Sequence, residues 1–82
     1  MSTPLHEAAA RGNTLICQLL IDSIENKNPR DFVGKTPLHK AARNGHLNIC
    51  KLIIGHVEDK NPEDNNGVTP IGIAINATVI SR

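Results

Sequence analysis

The sequence repeats itself every 33 residues. Thr3-Pro4-Leu5-His6 recurs as Thr36-Pro37-Leu38-His39, and a third match begins at Thr69-Pro70-Ile71. Sixteen of the 29 positions from 3 to 31 are identical to the residue 33 positions later. Chance would give about two identities, at ordinary usage of about 5–7% per residue type. A period of this length predicts stacked copies of one small supersecondary unit.

Each unit is predicted to contain a turn followed by two short helices. Asp31 and Gly34 have the chemistry of a tight turn, in which Asp bonds nearby amides and Gly accepts a positive φ. Thr36 is a good N-cap, and Pro37 suits the first helical position. Gly45 is predicted to end the first helix in the left-handed conformation, and the second helix starts one or two residues later.

Apolar residues at helical spacing mark one face of each predicted helix. The first helix has Leu38, Ala41 and Ala42, and the second has Ile49, Leu52 and Ile53. Asn61-Pro62 disfavours any further helix, because the residue before proline avoids the helical region. Isolated helices this short are marginal in water, so the units must stack to bury their apolar faces.

Composition excludes several classes of protein. The 82 residues include one Phe and no Trp or Tyr, so aliphatic side chains and Ala must form the core. The net charge of +1 gives no electrostatic reason to bind nucleic acid or a membrane surface. No apolar run is long enough for a transmembrane helix, and the first residues lack the apolar core of a signal peptide. Cys17 and Cys50 do not suggest a disulfide framework. We therefore expect an intracellular, cytoplasmic protein.

The linked motifs resemble those of the ankyrin repeat family. The resemblance rests on Thr-Pro-Leu-His-x-Ala-Ala-x-x-Gly at 3–12 and 36–45, and on Asp-x-x-Gly-x-Thr-Pro at 31–37 and 64–70. It implies an all-α helix-turn-helix solenoid with β-hairpin-like loops and about two and a half 33-residue repeats. The chain would be a single domain over 1–82, with repeats at about 2–30 and 31–63 and a truncated one at 64–82.

The sequence departs from the family pattern in two places. Ile24-Glu25 and Val57-Glu58 stand where the family commonly has Gly-Ala. In the third unit Gly72 replaces the motif His and Ile75 replaces the second Ala. Residues 76–82 lack the Gly turn and the second helix, so we expect a single helix or a frayed segment there.

The histidines and cysteines are predicted to be structural. By the resemblance, His6 and His39 bond the backbone of the turn and join neighbouring repeats, and no Cys/His spacing suggests zinc. Cys17 and Cys50 are equivalent positions on the second helices and are predicted to lie in the core. His46 is expected at the start of a helix, and His56 on the surface.

The resemblance also implies a surface that binds a partner protein. Its variable positions follow the Asp and the Gly of each turn and the paired Ala of each first helix, which in the first unit are Ala10 and Arg11. Lys40 and Glu7 lie at another variable helix position. The predicted partner-binding residues are Phe32, Val33, Lys35, Lys40, Arg43, Asn44, Arg11, Asn65, Asn66 and Val68. Phe32 and Val33 are apolar at a turn where polar residues are usual. They are expected either to pack against the neighbouring turn or to anchor a partner, since aromatic residues are enriched at binding hot spots.

The leading hypothesis is a non-catalytic protein–protein interaction module. No nucleophile, base and orienting group are predicted to converge, and no Gly-rich phosphate loop is present, so we expect no enzyme activity, cofactor or metal. The alternative is a structural fragment or designed minimal array without a partner of its own. Its apolar third repeat, Ile71-Gly72-Ile73-Ala74-Ile75, could then drive self-association.

Overall fold

The computed structural model describes residues 2–74, which form helices joined by tight loops. The helices are α1 (Pro4–Arg11), α2 (Thr14–Ser23), α3 (Pro37–Arg43) and α4 (Leu47–Ile54), and residues 70–74 are also helical. No strand occurs within this described range. The predicted all-α repeat of helix, turn and helix is therefore confirmed, whereas the expectation for 76–82 lies outside the described residues.

The helix starts and stops follow the predicted chemistry. Thr3 and Thr36 are extended N-cap residues, each followed by proline at the first helical position. Gly12 and Gly45 adopt φ values of 77° and 73°, as predicted for the left-handed residue after each inner helix. His46 is the N-cap position of α4, as predicted, although its side chain makes no capping hydrogen bond.

Helix α4 ends earlier than the Asn61-Pro62 pair would require. Its last residue is Ile54, and the amide of Gly55 closes the final turn on the carbonyl of Lys51 at 3.1 Å. Asn61-Pro62 lies in the loop of residues 55–63, which follows α4 and which we call the return loop; Pro62 is buried there. The pair therefore shapes the loop that leads to the third unit, and it does not terminate the helix.

The helices form two layers. The inner helix α1 packs on α3, the outer helix α2 packs on α4, and each inner helix packs on the outer helix of its own unit. The core between them contains Leu5, Ala8, Ala9, Cys17, Ile21, Leu38, Ala41, Ile49 and Ile53. Small alanines on the inner helices allow α1 and α3 to approach closely, which is consistent with a core that lacks aromatic residues.

The two outer helices bury different positions of the repeat. Helix α2 buries Cys17 and Ile21 completely, whereas α4 buries Ile49 and Ile53. The second pair is shifted by one residue relative to the first, because α2 turns its buried side toward the second unit and α4 turns its own toward the first. The prediction that both cysteines lie in the core holds fully for Cys17, while Cys50 is only half-buried.

Candidate protein-binding surface

Two hairpin-like loops precede the inner helices; we call them finger 1 (residues 31–35) and finger 2 (residues 64–68). In finger 1 the amide of Asp31 donates to the carbonyl of Lys35 at 2.9 Å. The Asp31 carboxylate accepts hydrogen bonds from the amides two and four residues later, at 3.0 and 2.8 Å. The same set of bonds recurs around Asp64. Each Asp therefore fixes the shape of its own finger.

The fingers are bonded to each other through Asn65. Its amide donates to the carbonyl of Val33 at 2.9 Å, and its side-chain Nδ2 donates to the carbonyl of Phe32 at 3.2 Å. Gly34 permits this approach, because its φ is 81° and a Cβ there would lie 2.7 Å from the backbone nitrogen of Asn65. The backbone of finger 1 is thus held from within and from its neighbour.

The tip of finger 1 presents apolar side chains to solvent. Phe32 is 85% exposed and Val33 is 47% exposed. The Phe32 ring therefore does not pack against finger 2, although its carbonyl is bonded there. On finger 2, Asn66 and Val68 are also exposed.

The two lysines beside the fingers form ion pairs with the finger aspartates. Lys35 Nζ lies 2.6 Å from Asp64 Oδ2, and Lys40 Nζ lies 3.6 Å from Asp31 Oδ2. Both lysine side chains are only about a quarter exposed, at 24% and 28%. Each lysine charge is neutralised by an aspartate of the array. A partner would therefore contact the exposed part of each lysine side chain and would find little unpaired charge there.

The finger carboxylates have lowered pKa values. The hydrogen bond from the Lys35 side chain and the bond from the Val68 amide lower the pKa of Asp64 to about 2, against a smaller opposing effect of burial. At Asp31, burial raises the pKa, but the amides of Lys35 and Val33 outweigh it and the net pKa is lowered. Both carboxylates are therefore held as anions.

The far ends of the inner helices carry arginines. Arg43 is exposed, and its guanidinium makes no ion pair with any residue between 2 and 74. Arg11 is also exposed and lies 3.9 Å from Glu7 on the preceding turn of α1, a distance at which solvent weakens the attraction. Asn44 is exposed and donates its side-chain amide to the carbonyl of Lys40 at 2.9 Å.

The structure thus separates the ten predicted residues into two groups. One group lies on the fingers and consists of Phe32, Val33, Lys35, Asn65, Asn66 and Val68. The other lies on the inner helices or at their ends and consists of Arg11, Lys40, Arg43 and Asn44.

The family model for ankyrin repeats matches the chain over residues 5–80, in three copies. This match covers nearly all of the sequence. The chain belongs to the ankyrin repeat family. A search of curated proteins finds no match to it.

The motif histidines of this ankyrin array join neighbouring units. The amide of Thr36 donates to Nδ1 of His39 at 3.1 Å, so the ring proton must lie on Nε2, which donates to the carbonyl of Val68 at 2.7 Å. His6 makes the equivalent bond to the carbonyl of Lys35, also at 2.7 Å. Burial lowers the pKa of His39, outweighing the Val68 carbonyl, which raises it. The predicted structural role of both histidines is confirmed.

His46 makes a further junction that the repeat pattern does not indicate. Its Nε2 lies 3.1 Å from the carbonyl of Ala10, and its ring covers Gly12, where a Cβ would come within 2.7 Å of the ring. The equivalent position in the first unit is Asn13, whose side chain instead caps its own helix by accepting from the amide of Ile16. A contact that occurs at only one repeat leaves no signal in a self-comparison.

Asp64, which is buried, is the residue of finger 2 whose second contact the sequence interpretation missed. It was expected only to shape its own turn, yet it also binds Lys35 across the junction. The spacing offers a clue, because Lys35 and Asp64 are 29 residues apart, as are His6 and the carbonyl of Lys35. Bonds between successive units of this array recur at that separation.

The described residues contain neither a cluster that could hold a metal ion nor a membrane-spanning helix. Between residues 2 and 74, no group of three or more His, Cys, Asp or Glu side chains could hold a metal ion. Nor does that range contain a helix long and apolar enough to cross a bilayer. Both cysteines are free, and burial raises the pKa of each thiol.

Proposed function

We propose that the chain is a non-catalytic module that binds a partner protein through finger 1 and the exposed ends of the inner helices. Ankyrin repeats are generally protein–protein interaction modules. The proposed contacts are the ten residues grouped above, with Phe32 and Val33 as the apolar anchor. In this proposal neither nucleic acid, a membrane nor a cofactor takes part, and the free thiols suit the reducing cytoplasm.

The observation that carries the proposal is the state of Phe32. A large aromatic ring is 85% exposed, while the backbone beneath it is fixed by Asp31 and Asn65. Exposing such a ring gains the free protein no burial energy, whereas covering it in a complex removes apolar surface from water. Because the backbone is already ordered, binding also costs less conformational entropy.

Charge compensation indicates what the partner should look like. Lys35 and Lys40 are paired with carboxylates of the array, whereas Arg43, at the far end of α3, makes no ion pair within residues 2–74. A partner with an apolar side chain for Phe32 and an acidic group for Arg43 would satisfy both ends of the proposed surface.

The test uses the double variant Phe32→Ala/Arg43→Ala. Partners are captured with the natural chain, identified by mass spectrometry, and titrated as purified proteins. We expect the variant to weaken binding about 30-fold or more, the scale of a binding hot spot, with unchanged helical content by circular dichroism. The control is Leu15→Ala, since Leu15 is exposed on α2, away from the fingers. Equal affinity of the double variant and the natural chain would contradict the proposed surface.

The second candidate is self-association through the third unit, in an array without a partner of its own. It is favoured by Ile71, which is 56% exposed on the helical segment at 70–74. This alternative predicts an oligomer whose population rises with protein concentration.

A further inference from the structure

The dipeptide Asn-Gly occurs twice in the sequence, at residues 44–45 and 66–67. In this pair the asparagine side chain can react with the next backbone amide, because glycine has no side chain to hinder the approach of its nitrogen. The glycine nitrogen attacks Cγ, the carbonyl carbon of the asparagine side chain. The first copy of the dipeptide follows α3, and the second lies in finger 2.

The two copies are closely matched in their backbone surroundings. Gly45 and Gly67 have φ values of 73° and 78°. Each glycine amide donates to the carbonyl three residues earlier, that of Ala42 at 3.2 Å and that of Asp64 at 3.0 Å. Among residues 2–74, a Cβ on either glycine would meet nothing within 4 Å. Neither the backbone conformation nor crowding therefore distinguishes the two copies.

The asparagine side chains differ, although both residues are exposed. Nδ2 of Asn44 donates to the carbonyl of Lys40 at 2.9 Å, which holds the carboxamide back along α3 and away from Gly45. The carboxamide of Asn66 makes no hydrogen bond to any residue between 2 and 74; only its backbone amide is bonded, to Asp64 Oδ1 at 2.8 Å. Turning the carboxamide toward the glycine thus breaks a side-chain bond at Asn44 and none at Asn66.

We propose that Asn66 is a spontaneous modification site and that Asn44 is its protected counterpart. The amide nitrogen of Gly67 forms a bond to Cγ of Asn66, and its proton passes to the side-chain nitrogen, which leaves as ammonia. The product is a five-membered cyclic imide, which water then opens at either of its two carbonyls. Overall one water is consumed and one ammonia is released, with no oxidation or reduction.

The two ways of opening the imide have different structural results. Cleavage at the side-chain carbonyl gives an aspartate on an ordinary backbone and adds one negative charge. Cleavage at the main-chain carbonyl gives an isoaspartate, in which the backbone runs through the former side chain and is one carbon longer. Asn66 is among the proposed partner contacts, so the added charge also alters that surface; this consequence alone rests on the proposed function.

The longer backbone of the isoaspartate lies inside the hydrogen-bonded loop of finger 2. The amides of Asn66 and Val68 donate to Asp64 Oδ1 at 2.8 and 2.9 Å, and the Asp64 amide donates to the Val68 carbonyl at 2.8 Å. The same Val68 carbonyl accepts from His39 Nε2 at 2.7 Å. An extra carbon between residues 66 and 67 therefore displaces Val68 and weakens the junction between the second and third units.

The test compares the two asparagines within one chain. The natural chain is incubated in warm, mildly alkaline buffer, once folded and once unfolded in urea, and mass spectrometry of its peptides follows the conversion of each side-chain amide to a carboxyl group. The ratio of the two rates in urea corrects for the different residues that follow each glycine. Relative to that ratio, we expect Asn66 to react about 5-fold or more faster than Asn44 in the folded chain, the scale of one hydrogen bond.

Two variants of Asn66 serve as controls. Asn66→Gln should stop conversion at this position and leave that of Asn44 unchanged, because the longer side chain would have to form a larger ring. Asn66→Asp carries the charge of the product on an ordinary backbone. We expect the purified isoaspartate form to have an unfolding equilibrium constant about 10-fold or more above that of Asn66→Asp, and to lose the slowly exchanging His39 Nε2 proton by nuclear magnetic resonance.

Three outcomes would overturn the proposal. One is a folded chain in which Asn44 reacts as fast as Asn66 after the correction. Another is a folded chain that shows no conversion at Asn66 over a period in which the unfolded chain converts completely. The third, an isoaspartate form with the stability of Asn66→Asp and an intact His39 signal, would refute the proposed effect on the junction.

Discussion

The carboxylate of Asp64 has two structural roles. Its Oδ1 accepts the amides of Asn66 and Val68, which shapes finger 2, and its Oδ2 binds Lys35 of the preceding finger. The first role, the shaping of finger 2, could be predicted from the turn motif alone. The second role depends on how two successive units stack. The sequence spacing indicates this contact only once one bond between units is known.

The charge of Asp64 should make stability depend on pH. Its pKa is about 2 in the folded chain and about 3.9 when unfolded, so its contribution is complete above about pH 4 and is lost as pH falls toward 2. Asp64→Asn retains an oxygen for the two amides but loses the charge that binds Lys35. We expect it to lower the free energy of unfolding at pH 6, with a difference from the natural chain that shrinks between pH 4 and 2.

Urea unfolding at a series of pH values measures this difference. Asp22→Asn is the control, because Asp22 is exposed on α2, and its pH profile should follow that of the natural chain. A difference between Asp64→Asn and the natural chain that stayed constant down to pH 2 would mean that the carboxylate charge is not involved.

At the scale of the elements, the two glycine turns show which restrictions on a residue come from its own backbone and which come from a neighbouring unit. Gly12 and Gly45 occupy equivalent positions with nearly equal φ values. Among residues 2–74, a Cβ on Gly45 would meet nothing within 4 Å, whereas one on Gly12 would meet the ring of His46 at 2.7 Å. The backbone conformation was predictable from the motif, but the second restriction on Gly12 comes from a residue 34 positions away.

Alanine substitution at Gly12 and at Gly45 should separate the cost of the backbone conformation from the cost of the contact with His46. Gly45→Ala should cost about 1–2 kcal/mol, the strain of a left-handed alanine. Gly12→Ala should cost at least about 1 kcal/mol more, because the His46 ring must move. Adding His46→Ala to each variant should close the gap between them. Thermal or urea unfolding of the four variants provides the values, and equal costs for the two single variants would rule out the contact with His46.

For the whole molecule, the period was enough to predict the unit, the capping residues and the stacking. The direction in which each outer helix faces was not predictable in the same way. Cys17 and Cys50 occupy equivalent positions in the repeat, yet within the described residues Cys17 is fully buried and Cys50 is half-buried, because α4 packs against the side of α2 that carries Cys17. Likewise the exposure of the Phe32 ring was not predictable, because it depends on finger 2 contacting the Phe32 carbonyl and leaving the ring in solvent.

The association state is a property of the whole molecule that separates the two proposed functions. If the third unit drives self-association, sedimentation velocity should show a larger species at higher concentration. Ile71→Lys should then restore the monomer, because a charge would replace the exposed apolar side chain. Phe32→Lys serves as the comparison, since it places a charge on the exposed tip of finger 1. A monomer at every concentration would leave partner binding as the proposed function.

The histidine junction has a consequence for how such a gene can change in length. The second unit carries both halves of the bond, since His39 donates forward to the carbonyl of Val68 and the carbonyl of Lys35 accepts from His6 behind it. A tandem duplication of 33 codons therefore creates a unit whose donor and acceptor already match those of its new neighbours. Growth of the array by unequal recombination needs no compensating mutation at the junction, whereas an insertion in the repeat that is not a multiple of 33 residues would break the spacing between donor and acceptor.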